Sequence, residues 1–284
     1  MADLLVLDDL HVTFHSDTGP VEAVRGLSLA VQRGERVGIV GESGSGKSMT
    51  GRAILGLIRP PGEVRAHRLA FDGQDLSHLP ERRFRRLRGR RIAMILQDPK
   101  YSLNPVMRVG RQIVEAFRTA DPALSRRAAR DRALAALAAV QIPEADLGRV
   151  YDAWPHELSG GMGQRVMIAM MVALGPDLLI ADEPTSALDV TVQMQVLAIL
   201  DDLVRASGMG LMFISHDLNL VAGFCDRVVV MYAGRVMEEC RAADLHAARH
   251  PYTRGLLAAL PSIEGDRGDL PVLQRDPAWR EAPP

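Results

Sequence analysis

Residues 36–58 read as an apolar strand, a glycine-rich loop and a helix in direct succession, and this order constrains the fold more than any other feature. The loop runs from Gly41 to Ser48 as GESGSGKS, which matches G-x-x-x-x-G-K-[ST] in the strand-to-helix context that this pattern requires. Its glycines let backbone N–H groups turn toward phosphate oxygens, and the helix N-terminus adds its partial positive charge. We therefore predict a nucleotide-phosphate site in which Lys47 reaches the β- and γ-phosphates and the Ser48 hydroxyl ligates Mg²⁺.

The basic composition supports a chemical role for Lys47. The chain has 34 basic residues, and all of them are arginines except Lys47 and Lys100. An ammonium is a compact point charge that fits between phosphates, whereas a guanidinium is a planar fork. The chain uses arginine almost everywhere else, so the lysine in this loop indicates a role in phosphate binding rather than a random occurrence.

The overall composition predicts a cytoplasmic globular protein. Hydrophobic residues make up 47% and charged residues 24% of the 284, which is ordinary for a soluble domain. The apolar run at 167–174 is much shorter than the roughly 18 residues that span a bilayer, and the N-terminus lacks a secretory signal pattern. Cys225 and Cys240 indicate neither a disulfide framework nor a metal cage. Any association with a membrane is therefore expected to come through partners.

The charge distribution gives little reason to expect nucleic-acid binding. The formal net charge is −1, so no general attraction to a polyanion is expected. One local exception is the stretch 81–91, which contains seven arginines in eleven residues. A solvated basic surface helix is the simplest interpretation. Contact with a partner's acidic segment or with phospholipid remains the alternative.

The order of apolar patterns predicts an α/β fold. Apolar–polar alternation and short apolar runs predict strands at 4–14, 21–31, 36–40, 91–96, 178–181, 211–214, 227–232 and 235–239. Helical patterns occupy 48–58, much of 100–157 including 125–140, and 191–206. Strands that alternate with helices indicate a mainly parallel sheet, here with a helical lobe inserted near 98–165. The proline-rich, charged stretch 264–284 predicts a weakly ordered tail.

The strand predicted at 178–181 leads into two carboxylates, Asp182 and Glu183. Asp182 is suited to hold Mg²⁺ through water, and Glu183 is suited to polarise the water that attacks a γ-phosphate. Paired acids at a strand end can be ordinary loop residues, but their spacing from a phosphate loop favours the catalytic interpretation. Gln97 and His216 also follow apolar strands, and neither is informative by itself.

Together these segments resemble the full motif series of the ATP-binding-cassette ATPases. They are Phe14, 41–48, Gln97, the stretch LSGGMGQ at 158–164, 178–183, SALD at 186–189 and His216, in the family's order over about residues 4–240. The resemblance implies an α/β fold over 1–250, with a RecA-like phosphate-loop core, an antiparallel β subdomain and an inserted helical subdomain. It also implies two cassettes stacked head to tail, each ATP lying between one phosphate loop and the other subunit's Ser159-Gly160-Gly161. A serine and glycine amides at a helix N-terminus can form an anion site without a cation.

The resemblance also implies a role for each of these positions, with ATP and Mg²⁺ as cofactors. Phe14 stacks on adenine, Asp189 lines the dimer seam, and Gln97 senses Mg²⁺ and the permease. Glu183 is the catalytic base and His216 steadies the γ-phosphate. The implied ATP contacts are Phe14, Gly41, Glu42, Ser43, Gly44, Ser45, Gly46, Lys47, Ser48, Met49, Gln97, Ser159, Gly160, Gly161, Gln164 and Asp189. The implied Mg²⁺ ligands are Ser48, Gln97 and Asp182.

Three stretches resemble more narrowly the oligopeptide, dipeptide and nickel importer branch of this family. They are QDPKYSLNP at 97–105, SGGMGQRVMIAM at 159–170, and HPYTRGLLAALP at 250–261. The last lies outside the nucleotide motifs, so ATP chemistry does not require it; residues 251–284 are assigned to a family-specific extension and tail. This branch implies a peripheral subunit on the cytoplasmic face of the bacterial plasma membrane. Its partners are a second, usually different ATPase subunit, two permease subunits and an extracytoplasmic substrate-binding protein.

Two positions depart from the peptide-type pattern. No cysteine follows Cys240, whereas peptide-type relatives often continue into a cysteine-containing segment, and this shifts the expected cargo toward nickel or a metallophore. Gly163 stands where relatives commonly have a longer side chain. A helical glycine costs about 1 kcal/mol relative to alanine, so a locally softer helix is expected there.

Two other classes of cassette ATPase share the same nucleotide motifs. One acts on nucleic acid or the ribosome and usually adds a second cassette, a coiled coil or zinc-binding cysteines, none of which this sequence has. The other drives export, which the stretch 250–261 disfavours. Import is therefore the favoured interpretation.

Overall fold

The computed structural model describes residues 3–97, 102–186, 188–259, 273 and 275–281. The chain divides into two compact units, one made of residues 1–79 and 213–284 and the other of residues 80–212. The helical lobe predicted near 98–165 lies inside the second unit. The boundary between the units falls within a strand at Gly210–Ser215.

The first unit contains an antiparallel sheet and several strands of a second sheet, whose pairing is mixed. Its strands are β1 (Leu5–Ser16), β2 (Gly19–Val31), β3 (Arg36–Gly41), β4 (Gly62–Arg65), β5 (Arg68–Phe71), β6 (Gln74–Asp75), β10 (Arg227–Tyr232) and β11 (Arg235–Arg241). The strand at the boundary is β9 (Gly210–Ser215), and the second unit contains β7 (Ile92–Ile95) and β8 (Leu178–Asp182).

In the antiparallel sheet the strand order is β2-β1-β5-β6, with β4 also paired to β1. The alternating patterns of β1 and β2 correctly predict this hairpin, in which Leu5 lies opposite Val31. β4, β5 and β6 were not predicted, because they are only two to four residues long; β4 and β5 pair with the distant β1, and β6 pairs with β5. Leu5, Leu7, Leu10 and Val12 of β1 are buried, and a register shift between Leu7 and Leu10 interrupts the strict alternation.

The phosphate loop follows β3, which pairs in parallel with β10; β10 in turn pairs antiparallel with β11. β3 is buried from Val37 onward, as expected for a strand covered on both faces. Gly38 permits a close approach, because a Cβ atom there would lie 2.1 Å from a Val221 methyl group. β3 is therefore a closely packed, buried strand, and the phosphate loop follows its carboxyl end.

The helices of the first unit are α1 (Lys47–Ile54), α8 (Leu218–Phe224), α9 (Pro251–Ala258) and α10 (Ala278–Glu281). The prediction that α1 runs to Ile58 is wrong at its C-terminal end. Gly56 adopts φ 61°, and the N–H groups of Gly56 and Leu57 donate to the carbonyls of Ala53 and Arg52. This is the Schellman pattern, in which glycine at the left-handed position ends a helix.

The second unit packs its helices around the parallel pair β7–β8. Its helices are α2 (Glu81–Leu87), α3 (Val109–Ala120), α4 (Arg126–Ala139), α5 (Glu144–Asp152), α6 (Gly160–Val172) and α7 (Val190–Ser207). Every residue of β7 and β8 is buried, so the predicted apolar strands are confirmed. The predicted alanine-rich helix is confirmed as α4, whose N-cap Ser125 accepts the N–H of Ala128 at 3.2 Å.

The basic stretch forms the predicted surface helix. In α2, Phe84 and Leu87 face inward, while Arg82, Arg83, Arg85 and Arg86 are exposed. Most of the predicted tail at 264–284 lies outside the described residues; within the described part, 278–281 is helical. No helix in the described ranges is both long and apolar enough to cross a membrane.

Two glycines of the second unit give a matched test of the packing between α3 and α5. A Cβ at Gly110 would lie 2.3 Å from the Tyr151 ring, which Arg130 covers on another side at 5.1 Å. A Cβ at Gly148, within α5, would have no neighbour within 4 Å. Gly110→Ala should therefore lower the free energy of unfolding by about 1–3 kcal/mol. Gly148→Ala should raise it by up to about 1 kcal/mol through helix propensity.

Urea denaturation monitored by circular dichroism measures both effects. Equal changes in stability for the two variants would show that the close contact between Gly110 and Tyr151 is not formed.

Candidate nucleotide-binding site

The phosphate loop at 41–48 connects β3 to α1 in the first unit, as the sequence predicts. Lys47 is 5% exposed, and its ammonium group donates to the carbonyl oxygens of Gly41 and Glu42, both at 2.8 Å. The Ser45 N–H donates to the same Glu42 carbonyl at 3.2 Å. The ammonium therefore lies inside the turn of the loop, within reach of an anion bound there.

The three glycines of the loop serve different purposes. A Cβ at Gly41 would lie 2.1 Å from the Met231 carbonyl oxygen, and one at Gly46 would lie 2.3 Å from the Ala23 carbonyl oxygen. These two glycines let the loop pack directly against the backbone at Met231 and Ala23. A Cβ at Gly44 would meet none of the described residues within 4 Å, but Gly44 has φ 79°, a conformation that glycine adopts without strain. The sterically open side of the loop is therefore at Gly44.

The loop chemistry fits a nucleoside phosphate. Backbone N–H groups near a helix N-terminus, together with a lysine ammonium, form the donor set that binds phosphate oxygens. The Ser48 side chain is partly exposed at the start of α1, where its hydroxyl can serve as an oxygen ligand of Mg²⁺. Ser43 and Gly44 are exposed and Met49 is half-buried.

Two further predicted site residues lie in the first unit. Phe14 is half-buried on β1, opposite Val21 of β2 and Gly62 of β4. Its Cε1 atom would lie 2.8 Å from a Cβ at Gly62, so the glycine leaves room for the ring. His216 is exposed and directly follows β9.

The acidic strand end lies in the second unit, at the carboxyl end of β8. Asp182 is 5% exposed and is the last residue of the strand. Glu183 adopts φ 48°, a left-handed conformation that costs about 1–3 kcal/mol for a residue with a side chain. The Gln97 side-chain amide donates to the Glu183 carboxylate at 2.9 Å. The structure thus brings together two predicted site residues separated by 86 positions in sequence.

The Ser-Gly-Gly element begins α6 in the same unit. Ser159 is the N-cap residue, and its hydroxyl accepts the N–H of Met162 at 3.3 Å. Ser159 and Gly160 are exposed, and a Cβ at Gly160 would have no neighbour within 4 Å. Packing among the described residues therefore does not require glycine at 160, and the backbone at this helix N-terminus is exposed.

Gly161 and Asp189 connect this element to α7. A Cβ at Gly161 would lie 2.6 Å from a Val192 methyl group, so glycine allows the starts of α6 and α7 to pack closely. Asp189 is exposed and caps α7 by accepting the N–H of Val192 at 3.0 Å. The two exposed N-terminal ends therefore lie next to each other.

Gly163 and Gln164 are both buried within the first turns of α6. Gly163 lines a cavity of about 310 Å³ together with Leu103, Pro105 and Leu158. Gln164 is 2% exposed, and its side-chain nitrogen has no hydrogen-bond partner among the described residues. The helix is continuous through Gly163, so the predicted local softness remains a prediction.

Neither a metal cage nor a disulfide is formed by the described residues. Cys225 and Cys240 are free thiols, and burial raises the pKa of the Cys225 thiol. No group of three or more His, Cys, Asp or Glu side chains in the described ranges is arranged to hold a metal ion. The Mg²⁺ ligands that the sequence implies are instead single oxygen donors, which suits an ion that keeps several waters and binds substrate phosphates.

The sequence is similar to ATP-binding subunits of peptide transporters. A family model described as ABC transporter matches residues 24–186, which is more than half of the chain. The dipeptide transport ATP-binding protein DppD of Escherichia coli strain K12 is 50% identical over 271 residues, covering 95% of this chain and 82% of that protein. The oligopeptide transport ATP-binding protein OppD of Bacillus subtilis strain 168 is 47% identical, covering 92% of this chain and 73% of that protein.

This chain belongs to the ATP-binding-cassette transporter family. Among solved structures, the ATP-binding cassette MJ0796 in a dimeric, post-hydrolysis state bound to ADP and Pi has a TM-score of 0.73 and 28% identity. That match covers 84% of this chain and 98% of MJ0796. The predicted α/β cassette fold, with its antiparallel and parallel sheets, is thereby confirmed, as is membership of the peptide importer branch.

Two further residues contact the phosphate loop, and no nucleotide motif of the sequence includes them. Tyr252 and Arg275 both contact Glu42 of the phosphate loop. Tyr252 belongs to the stretch HPYTRGLLAALP, which carries the narrower resemblance but no assigned role. Its contact with the loop, across 210 positions, has no local sequence signal.

Proposed function

We propose that this cassette hydrolyses ATP to drive a bacterial importer of dipeptides or oligopeptides. The strongest support is the similarity to DppD and OppD, which extends over 92–95% of the chain and so includes most of the sequence outside the nucleotide motifs. The names of these relatives favour peptides over nickel.

In the proposed site, the phosphate loop binds the triphosphate. The Lys47 ammonium, which now bonds to two loop carbonyls, turns to the β- and γ-phosphate oxygens. Ser48, Asp182 and Gln97 are the proposed oxygen donors for Mg²⁺. Bound there, the ion would supply positive charge to offset the charge developing on the transferred phosphoryl group. Phe14 provides an aromatic face for the adenine.

Glu183 is the proposed general base. Its carboxylate would accept a proton from the water that attacks the γ-phosphorus, and the leaving ADP oxygen would take up the negative charge of the broken bond. The hydrogen bond from Gln97 holds this carboxylate in one orientation. His216 is the proposed donor to the γ-phosphate. The left-handed backbone at Glu183 turns the chain sharply at the strand end.

We also infer that the site is completed by a second cassette. Ser159 and Gly160 are exposed at a helix N-terminus, and a Cβ at Gly160 would meet no atom of the described residues within 4 Å. Such an end, with its free N–H groups and positive dipole, is suited to the γ-phosphate of an ATP held by another subunit. Asp189, beside it, would lie on the dimer seam. In this branch the second cassette is usually a different chain.

The proposed complex also contains two permease subunits and an extracytoplasmic binding protein, with the cassette on the cytoplasmic face of the plasma membrane. Reconstitution of the assembled transporter in proteoliposomes tests this function. Dipeptide-loaded binding protein should stimulate ATP hydrolysis, and labelled dipeptide should accumulate in the lumen from the binding-protein side.

Stimulation by Ni²⁺ or a metal chelate instead of peptide would contradict the proposed cargo. Recovery of the cassette with ribosomes or DNA, and without permeases, would contradict the transport function. Omission of the binding protein is the control for coupling, since ATP hydrolysis without it reports only the basal activity.

A further inference from the structure

An aromatic cluster with a buried centre, Tyr232 and Tyr252, contacts the first turn of the phosphate loop. We call it the Tyr252 cluster; it comprises Tyr232, His250, Tyr252 and Trp279. The ring centroid of Tyr252 lies 4.7 Å from that of Tyr232 and 5.8 Å from that of Trp279. Tyr252 is fully buried. The ring of Tyr252 is therefore fixed by packing, which leaves its hydroxyl in one position.

The hydroxyl of Tyr252 and the guanidinium of Arg275 both bond to Glu42, the second residue of the phosphate loop. The Glu42 N–H donates to the Tyr252 hydroxyl oxygen at 3.4 Å. Arg275 donates to the Glu42 carboxylate at 3.0 Å, and this bond to the carboxylate raises the pKa of Arg275. Burial raises the pKa of Tyr252, so the phenol is neutral at physiological pH.

Glu42 is held from the other side by the loop itself. Its carbonyl accepts hydrogen bonds from the Lys47 ammonium at 2.8 Å and from the Ser45 N–H at 3.2 Å. The backbone N–H of Glu42 thus points away from the interior of the loop, toward Tyr252. The N–H groups that could bind phosphate come later, around Gly44 and the start of α1.

We propose that Tyr252 and Arg275 are positioning residues that hold the first turn of the phosphate loop in the conformation that accepts ATP. This proposal rests on the proposed ATP-binding function of the loop. A loop whose donors are already in place loses less conformational entropy when the nucleotide binds. Freeing the Glu42 N–H from its acceptor should therefore weaken ATP binding, although neither residue is placed to touch the phosphates.

Tyr252→Phe and Tyr232→Phe form a matched pair for this test. Both remove one hydroxyl from the same cluster and leave its rings in place, but among the described residues only the Tyr252 hydroxyl bonds to the phosphate loop. Tyr252→Phe should raise the Kd for a fluorescent ATP analogue about threefold to tenfold, as expected for one lost hydrogen bond. Tyr232→Phe should change it less than twofold.

Kinetics separate positioning from a general loss of structure. In the assembled transporter, Tyr252→Phe should raise KM for ATP by a similar factor and leave kcat within about twofold. Arg275→Gln should also weaken binding, by about twofold to fivefold at low salt, and this effect should vanish near 1 M salt because the ion pair is exposed. The effect of Tyr252→Phe should persist at high salt.

The melting temperature measured without nucleotide shows whether Tyr252→Phe is folded, and a Lys47→Ala variant completes the experiment. An unchanged Kd in a folded Tyr252→Phe protein would overturn the proposal, and so would an equal loss of affinity in Tyr232→Phe. Lys47→Ala tests the underlying site separately. If Lys47→Ala abolishes binding while Tyr252→Phe is silent, only the positioning role fails; if Lys47→Ala leaves binding intact, the proposed nucleotide site itself fails.

Discussion

Glu183→Gln should slow ATP hydrolysis by about 100-fold or more in the assembled transporter while leaving the Kd for ATP within about twofold. The substitution removes the carboxylate that takes the proton from the attacking water, and general-base catalysis of this kind contributes about 10²–10⁴-fold. The glutamine has the same shape, and its carbonyl oxygen can still accept the hydrogen bond that Gln97 now donates at 2.9 Å. Binding and local structure should therefore survive. Phosphate release and nucleotide titration measure the two quantities.

The same variant tests whether Ser159 acts on a partner's nucleotide. Mixed with its partner cassette and ATP but unable to turn over, Glu183→Gln should accumulate as a closed cassette pair, which sedimentation velocity detects. Adding Ser159→Arg places a bulky side chain at the exposed N-terminus of α6 and should abolish that pair without affecting nucleotide binding by the single chain.

The matched control for Glu183 is Glu115→Gln, a substitution of the same kind at an exposed position on α3. It should leave hydrolysis unchanged. A near-normal hydrolysis rate in Glu183→Gln would exclude Glu183 as the base. A stable ATP-bound pair in the double variant would exclude contact of Ser159 with the partner's nucleotide.

Lys47→Ala should weaken ATP binding by about 100-fold or more. The ammonium is buried inside the phosphate loop, where charge-assisted hydrogen bonds to phosphate oxygens each contribute about 1.5–3 kcal/mol. Lys47→Arg should restore little of this affinity, because a planar guanidinium does not fit between the phosphates. Isothermal titration with ATP measures both variants.

Arg52→Ala is the control for Lys47. Arg52 is an exposed basic residue on the same helix α1, so its loss changes the net charge equally without touching the loop. It should leave ATP affinity within about twofold. If Lys47→Arg bound ATP as tightly as the unaltered chain, positive charge alone would explain binding, and the geometric role of the ammonium would be wrong.

Element type could be predicted from sequence wherever the pattern is long or strongly apolar. The buried strand at 178–182 and the helices α4 and α7 follow directly from such patterns. The sequence did contain a signal for the true end of α1, because Gly56 adopts the left-handed conformation that ends helices. The missed strands β4 and β5 had no such signal, because their pairing with β1 joins residues about 50 to 65 positions apart.

The sequence by itself determined the protein family, because the residues that define the chemistry of the family occur in short contiguous stretches. Eight residues are enough to form a phosphate loop from Gly41 to Ser48, and the order of the remaining motifs identifies the cassette family. Only the tertiary structure showed that Glu42 is held by Tyr252 and Arg275, from 210 and 233 positions away. Hydrogen bonds of this kind leave no periodic pattern, since they depend on where the folded chain brings two distant side chains rather than on what lies beside either of them.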